Sequence, residues 1–150
     1  MKRAKCAVVG ILMLFVASTV LAGDIKKEIS VDEAMKYYCI TWVNPDYNDK
    51  ANSPAKIINN RDGTIKWYRN ETSETPTSFS SDTTFKIEKS WIDKNGNIWL
   101  HMIYDWIIHI KYTVAKISDN GTVLEWDYSY DSYPTELNPL SGAYFIWYKE

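Results

Sequence analysis

Cysteine is almost missing from this chain, with Cys6 and Cys39 the only two among 150 residues. Cys6 falls in a segment expected to be removed, so no intrachain disulfide can staple the remainder and an apolar core has to hold the fold. Cys39 sits between Tyr38 and Ile40 near Trp42, a setting for a small buried hydrophobe rather than a nucleophile. Histidine is equally scarce. His101 and His109 flank Asp105, and that spacing fits no compact metal-ligand motif. Also missing are G-x-S-x-G, H-E-x-x-H, a P-loop and a dinucleotide-binding fingerprint. The run Asp93-Lys94-Asn95-Gly96-Asn97 lacks the downstream Glu of a calcium loop and reads as a turn. These gaps leave no catalytic residue, metal or cofactor to assign, and the chain is read as a non-enzyme.

Basic stripes are lacking too. Lys and Arg are interspersed with Asp and Glu throughout, which speaks against a nucleic-acid partner bound through its phosphates. The one long apolar run is Ala7 to Ala17, preceded by Lys2, Arg3 and Lys5 and followed by Val20-Leu21-Ala22. That is the layout of a secretory signal cut before Gly23. It is short of the roughly 20 residues a spanning helix needs, and Gly23 stands where a lipoprotein would carry Cys. Removing it takes 17 basic residues to 14 against 19 acidic ones and moves the net charge from −2 to −5. The expectation is a secreted or periplasmic protein with no stable membrane insertion, organised as signal peptide 1–22, an N-terminal segment 23–38 with a short helix, and one domain at 39–150.

What is abundant is aromatic: 7 Trp and 11 Tyr in a chain that is 45% hydrophobic, with only 6 Gly and 5 Pro. That composition is neither disordered nor collagen-like. Ser30-Val31-Asp32-Glu33 forms a capping box that predicts a short helix through Ala34, Met35 and Lys36. Beyond it, short β-branched and aromatic stretches alternate with turn signals, the pattern of an all-β domain. Strands are expected near Cys39–Val43, Ala55–Asn60, Thr64–Arg69, Thr83–Ile92, Asn97–Asp105, Ile107–Lys116, Thr122–Tyr130 and Ala143–Lys149. Three of the connections end in Asp-Gly or Asn-Gly, at Gly63, Gly96 and Gly121, where a tight hairpin needs positive φ. The strands should therefore run antiparallel in a meander.

Period-two alternation places Phe85, Ile87 and Trp91 on one face, with Lys86, Glu88 and Ser90 on the other. In the next strand Ile98, Leu100, Met102 and Tyr104 share a face. Ile107, Ile108 and Ile110 fill both faces of their strand, as do the consecutive Phe145, Ile146 and Trp147. Those strands should have outer cover, for example from the N-terminal helix. An open meander would leave exposed edges, so closure into an eight-stranded antiparallel up-and-down barrel is expected.

The segment Thr41-Trp42-Val43-Asn44, straight after the short helix, resembles the opening of lipocalin-like barrels of small exported bacterial proteins, with Ile40 in place of the family's Gly. Trp126-Asp127-Tyr128 is similar to a second family element. The resemblance implies an eight-stranded barrel, Trp42 closing one end, a basic residue such as Lys149 packed across it, and an interior that takes a small molecule. An eight-stranded barrel holds its own side chains or one small ligand. The candidate interior residues are Trp42, Phe85, Ile87, Leu100, Met102, Tyr104 and Trp126, for a small apolar or amphipathic molecule. The alternative is a protein or glycan held at the barrel end by Tyr128, Tyr130 and Tyr133, although Tyr133-Pro134 can equally be a turn with a docking ring.

Overall fold

The computed structural model describes residues 25–44, 55–69, 74–77, 83–106 and 109–150. The signal read at 1–22, and Ile107 and Ile108, lie outside the described residues. The described residues form one antiparallel sheet of nine strands: β1 (Ile25–Glu28), β2 (Thr41–Val43), β3 (Lys56–Asn59), β4 (Ile65–Tyr68), β5 (Thr83–Asp93), β6 (Ile98–Trp106), β7 (His109–Ser118), β8 (Val123–Ser129) and β9 (Phe145–Lys149). The α-helix α1 (Val31–Tyr38) stands between β1 and β2. No helix among the described residues is long and apolar enough to cross a membrane.

The sheet order is β1-β5-β6-β7-β8-β9-β2-β3-β4, and the sheet curls until the start of β4 touches β5 without forming a paired ladder. The expected eight strands are all present as β2 to β9. The closed eight-stranded barrel is corrected to a nine-stranded curled half-barrel. The physical reason lies in strand length: β4 has 4 residues and β5 has 11, so β4 cannot line the whole of its edge. The two meet at a single bridge, Thr64 to Thr84, with the Phe85 N–H donating to Gly63 O at 2.8 Å. Farther along, β1 occupies the same edge of β5, with Glu28 opposite Trp91.

The three turn glycines behave as their sequence demands. Gly63, Gly96 and Gly121 have φ of 86°, 86° and 90°. Ser30 Oγ accepts from the Glu33 N–H at 3.1 Å and starts α1, as the capping box predicts. At the other end of the helix, Tyr38 O accepts from Trp42 Nε1 (3.0 Å) and Asn59 Nδ2 (3.3 Å), fastening it to β2 and β3. Ala34 and Tyr38 are fully buried in the main core with Trp42, Ile57, Leu100, Met102, Leu124 and Trp147. Each such large apolar side chain contributes roughly 1.5–3 kcal/mol on burial. The helix thus covers the concave face of the sheet, not its outer wall.

Outer cover comes from elsewhere. The connection 130–144 folds back over β5, β6 and β7. Leu137 packs on a second core of Trp91, Trp99 and Val114. Trp91 belongs to this outer core, contrary to the simple alternation, because the register shifts between Ile87 and Lys89. The bulge adds a residue, carries Trp91 outward against Trp99 (rings stacked at 6.2 Å) and turns Ser90 inward opposite Leu100.

Candidate functional site

Because successive strands are antiparallel, their connections alternate between two ends of the curled sheet. The tight turns at Gly63, Gly96 and Gly121 share one end. Helix α1 lies there, close enough that a Cβ on Gly121 would stand 3.5 Å from Tyr37 Cδ1. Trp42 is fully buried at the foot of this helix, and Lys149 is its register partner on β9. The longer connections, including 130–144, emerge at the opposite end.

The seven interior candidates come together. Trp42, Phe85, Ile87, Leu100, Met102, Tyr104 and Trp126 are all buried and all belong to the main core. Sequence reasoning left out Tyr38, whose ring meets Phe85 edge-on at 5.1 Å and whose hydroxyl bonds that of Tyr104. Burial raises the Tyr104 phenol well above its usual value, so it stays neutral. Toward the helix end, then, the concave side is filled by the chain's own rings.

Nearer the long-connection end the inner face changes character. Tyr104 meets Trp126 edge-on at 5.5 Å, and Trp126 reaches back at 5.4 Å to Trp147, which stands opposite Leu124 toward the Gly121 turn. Directly opposite Tyr104 in register stands Lys111, 8% exposed. Its Nζ lies 4.0 Å over the Tyr128 ring and 5.9 Å from that of Tyr130. Burial lowers this amine to about 8. Burial also raises Tyr128, with help from Tyr130, to about 12. The indole N–H groups of Trp126 and Trp147 are buried without an acceptor among the described residues. Each such group costs about 1–3 kcal/mol when left unpaired. The site therefore combines apolar rings with an excess of donors. Sequence reasoning passed over Lys111, although its alternation with Thr113, Ala115 and Ile117 places it on the inner face.

The loop tyrosines part company. Tyr130 is 53% exposed at the rim, with its ring 5.4 Å from His109. Tyr133 is docked on the outer wall, stacked on His101 at 4.2 Å, edge-on to Tyr112, and donating to Glu88 Oε2 at 2.9 Å. The Tyr133 ring is thus docked against β5, β6 and β7. By strand alternation His101 faces outward and His109 inward, so the two do not converge. Among the described residues no group of three His, Cys, Asp or Glu is placed to hold a metal. Asp93 forms a turn, accepting from Asn95 N, Asn97 N, Asn97 Nδ2 and Trp99 Nε1. Burial pushes the Cys39 thiol up to about 11, which keeps it protonated at neutral pH.

Comparison with family models, with curated proteins and with solved structures yields no match.

Proposed function

We propose that this protein binds a small amphipathic molecule on the concave face of its curled sheet, entering from the end that carries Lys111, Tyr128 and Tyr130. The observation behind this reading is the contrast between the two ends. Helix α1 and Trp42 cover one, while the other has Tyr128 and Tyr130 beside an inward-facing amine that stands opposite Tyr104 in register. Apolar walls with a few placed polar groups are the usual make-up of a small-molecule site. The lipocalin-like resemblance implies the same activity, and the meander from β2 to β9 behind a short helix supports it. Export is part of the proposal and rests on the sequence of residues 1–22. The alternative of a protein or glycan held by the three loop tyrosines has less support, because Tyr133 is committed to His101 and Glu88 and Tyr128 to Lys111.

The test is a tryptophan-fluorescence titration of the purified chain with an environment-sensitive apolar dye, paired with native mass spectrometry. Saturable quenching that weakens in Trp126→Ala is expected. If the signal never saturates and no adduct appears in the mass spectrum, the reading fails.

A further inference from the structure

We infer that two copies of this chain pair through their outer walls, the Leu140 turn of each seated on the apolar wall around Tyr148 of the other. The contact lies on the convex side of the sheet. It leaves the concave face to its own ligand and does not rest on the ligand reading above.

The wall comes from an unmet demand of the sequence. Apolar residues on both faces of β9 call for outer cover, and the connection 130–144 gives such cover to β5, β6 and β7 through Leu137 and Tyr133. On β9, Phe145 and Trp147 point inward, which leaves Ile146 and Tyr148 facing out. Register extends the row, because Val123 stands opposite Tyr148 and Tyr148 opposite Val43. Ile58 of β3 lies on the same outward side. Val43, Ile58, Val123 and Ile146 are half-buried, Tyr148 is 39% exposed, and none of the five is part of either core. Contiguous apolar surface of this kind marks a place for a partner.

The other half of the contact is Leu140, 94% exposed. A lone exposed leucine is ordinary on a surface. This one sits on a turn that is fixed from several sides. Its own N–H donates to Asn138 Oδ1 at 3.0 Å and the Ser141 N–H to Asn138 O at 2.8 Å. Asn138 N and Ser141 Oγ both donate to the buried Asp127 carboxylate, at 3.1 and 3.0 Å. An apolar side chain held in place before binding loses little freedom on docking, which is what an interface anchor needs.

Two features select a second copy as the occupant. The first is closure. Val123, Glu125 and Asp127 alternate outward along β8, so the edge of the wall and the anchor of the Leu140 turn stand about 13 Å apart on one side of the molecule. A two-fold axis between them sets each turn on the other copy's wall, and the assembly closes at two. Glu125, between wall and anchor, is paired with Lys116 and brings little repulsion to the axis. The second feature is charge. The segment 130–144 carries Asp131 and Glu136 and no basic residue. The β3–β4 side of the wall carries Lys56, opposite Val43, and the exposed Lys66, opposite Ile58, with Glu150 at the far corner beyond β9. An acidic turn is drawn to a lysine-flanked wall and repelled by an anionic lipid surface.

The experiment is sedimentation velocity of the purified chain, from about 1 μM to 1 mM, the span in which a modest interface shows itself. Monomer should pass to dimer and stop there. Leu140→Asp and Tyr148→Asp should each weaken the association roughly 10- to 100-fold, as the loss of an interface anchor does. Mixing the two variants tests the pairing itself. Their heterodimer keeps one intact contact, Leu140 of the Tyr148→Asp copy on Tyr148 of the Leu140→Asp copy, so the mixture should associate more tightly than either variant alone. Near-UV circular dichroism checks that each variant is folded, and the wild-type series stands without any variant. A wild type that stays monomeric, or that grows beyond two copies, overturns the inference. So does Leu140→Asp pairing as tightly as the wild type, or a mixture no tighter than its components. A monomer that instead co-sediments with phosphatidylcholine vesicles, and loses this in Leu140→Asp, gives the turn to a lipid surface and overturns the dimer.

Discussion

His101 shows how one side chain can carry a pH response through packing alone. Tyr133 stacks on its face, Trp91 meets it edge-on at 5.0 Å, and Lys89 and Glu88 of β5 are its charged neighbours. Burial, and then Lys89, lower the imidazole below its ordinary 6.5, against an opposing pull from Glu88. The unfolded chain takes up a proton near 6.5 while the folded one resists until lower pH. The stability that neutral His101 contributes is thus complete above about 6.5 and is lost as pH falls through the lower folded value. Melting temperature followed against pH should show a drop below about 6.5 that flattens in His101→Phe, which keeps an aromatic ring under Tyr133. Parallel curves for the two proteins would exclude the effect. Of the residues that define the candidate site, the rings were legible from period-two alternation, since Leu100, Met102 and Tyr104 follow it without a break. Lys111 was not, because a charged residue on an apolar face looks like an exception until its neighbours are known.

Among the elements, the strap at 130–144 is built from contacts that sequence conceals. Tyr133 reaches Glu88 across 45 positions of chain, a separation over which no local pattern operates. The bulge in β5 is concealed for a different reason: one inserted residue reverses every later side chain, and only the register with β6 reveals it. By contrast α1, with its Ser30 cap, and the glycine turns were readable, because their causes lie within four or five residues. The anchor of the strap is Asp127, 4% exposed, whose carboxylate accepts from Asn138 N at 3.1 Å and Ser141 Oγ at 3.0 Å. Tyr144 adds a second tie, donating to Glu125 Oε1 at 2.7 Å, and Lys116 pairs with the same glutamate. Replacing Asp127 with Ala leaves the Asn138 and Ser141 donors unpaired and should cost about 1–3 kcal/mol in chemical denaturation. Limited proteolysis should then cut within 130–144 well before the sheet unfolds. Cleavage no faster than in the wild type would mean that Leu137 and Tyr133 hold the strap without Asp127.

For the molecule as a whole, the antiparallel order could be read from the turns, and the pairing of β9 with β2 follows from the wish of a curled sheet to cover its edges. The seam between β4 and β5 could not be read, since it depends on unequal strand lengths and on β1, whose Ile-Lys-Lys-Glu sequence has no alternation to mark it as a strand. At that seam Gly63 has two roles. Its φ of 86° closes the β3–β4 turn, and its carbonyl accepts from Phe85 N at 2.8 Å. A Cβ there would stand 2.9 Å from Phe85 O, too close for β5 to stay in place. Gly96 makes a matched control: it has the same φ of 86° and nothing within 4 Å of its would-be Cβ. Gly96→Ala should lose only the cost of the left-handed backbone, about 1–2 kcal/mol. Gly63→Ala carries the same backbone cost, and the steric push on Phe85 comes on top, so its loss in denaturant unfolding should be the larger. Hydrogen exchange at the Phe85 amide should quicken in Gly63→Ala and not in Gly96→Ala. Equal losses, with Phe85 equally protected in both variants, would show that the curl is held by β9 and β2 alone and that the β4–β5 contact contributes nothing to it.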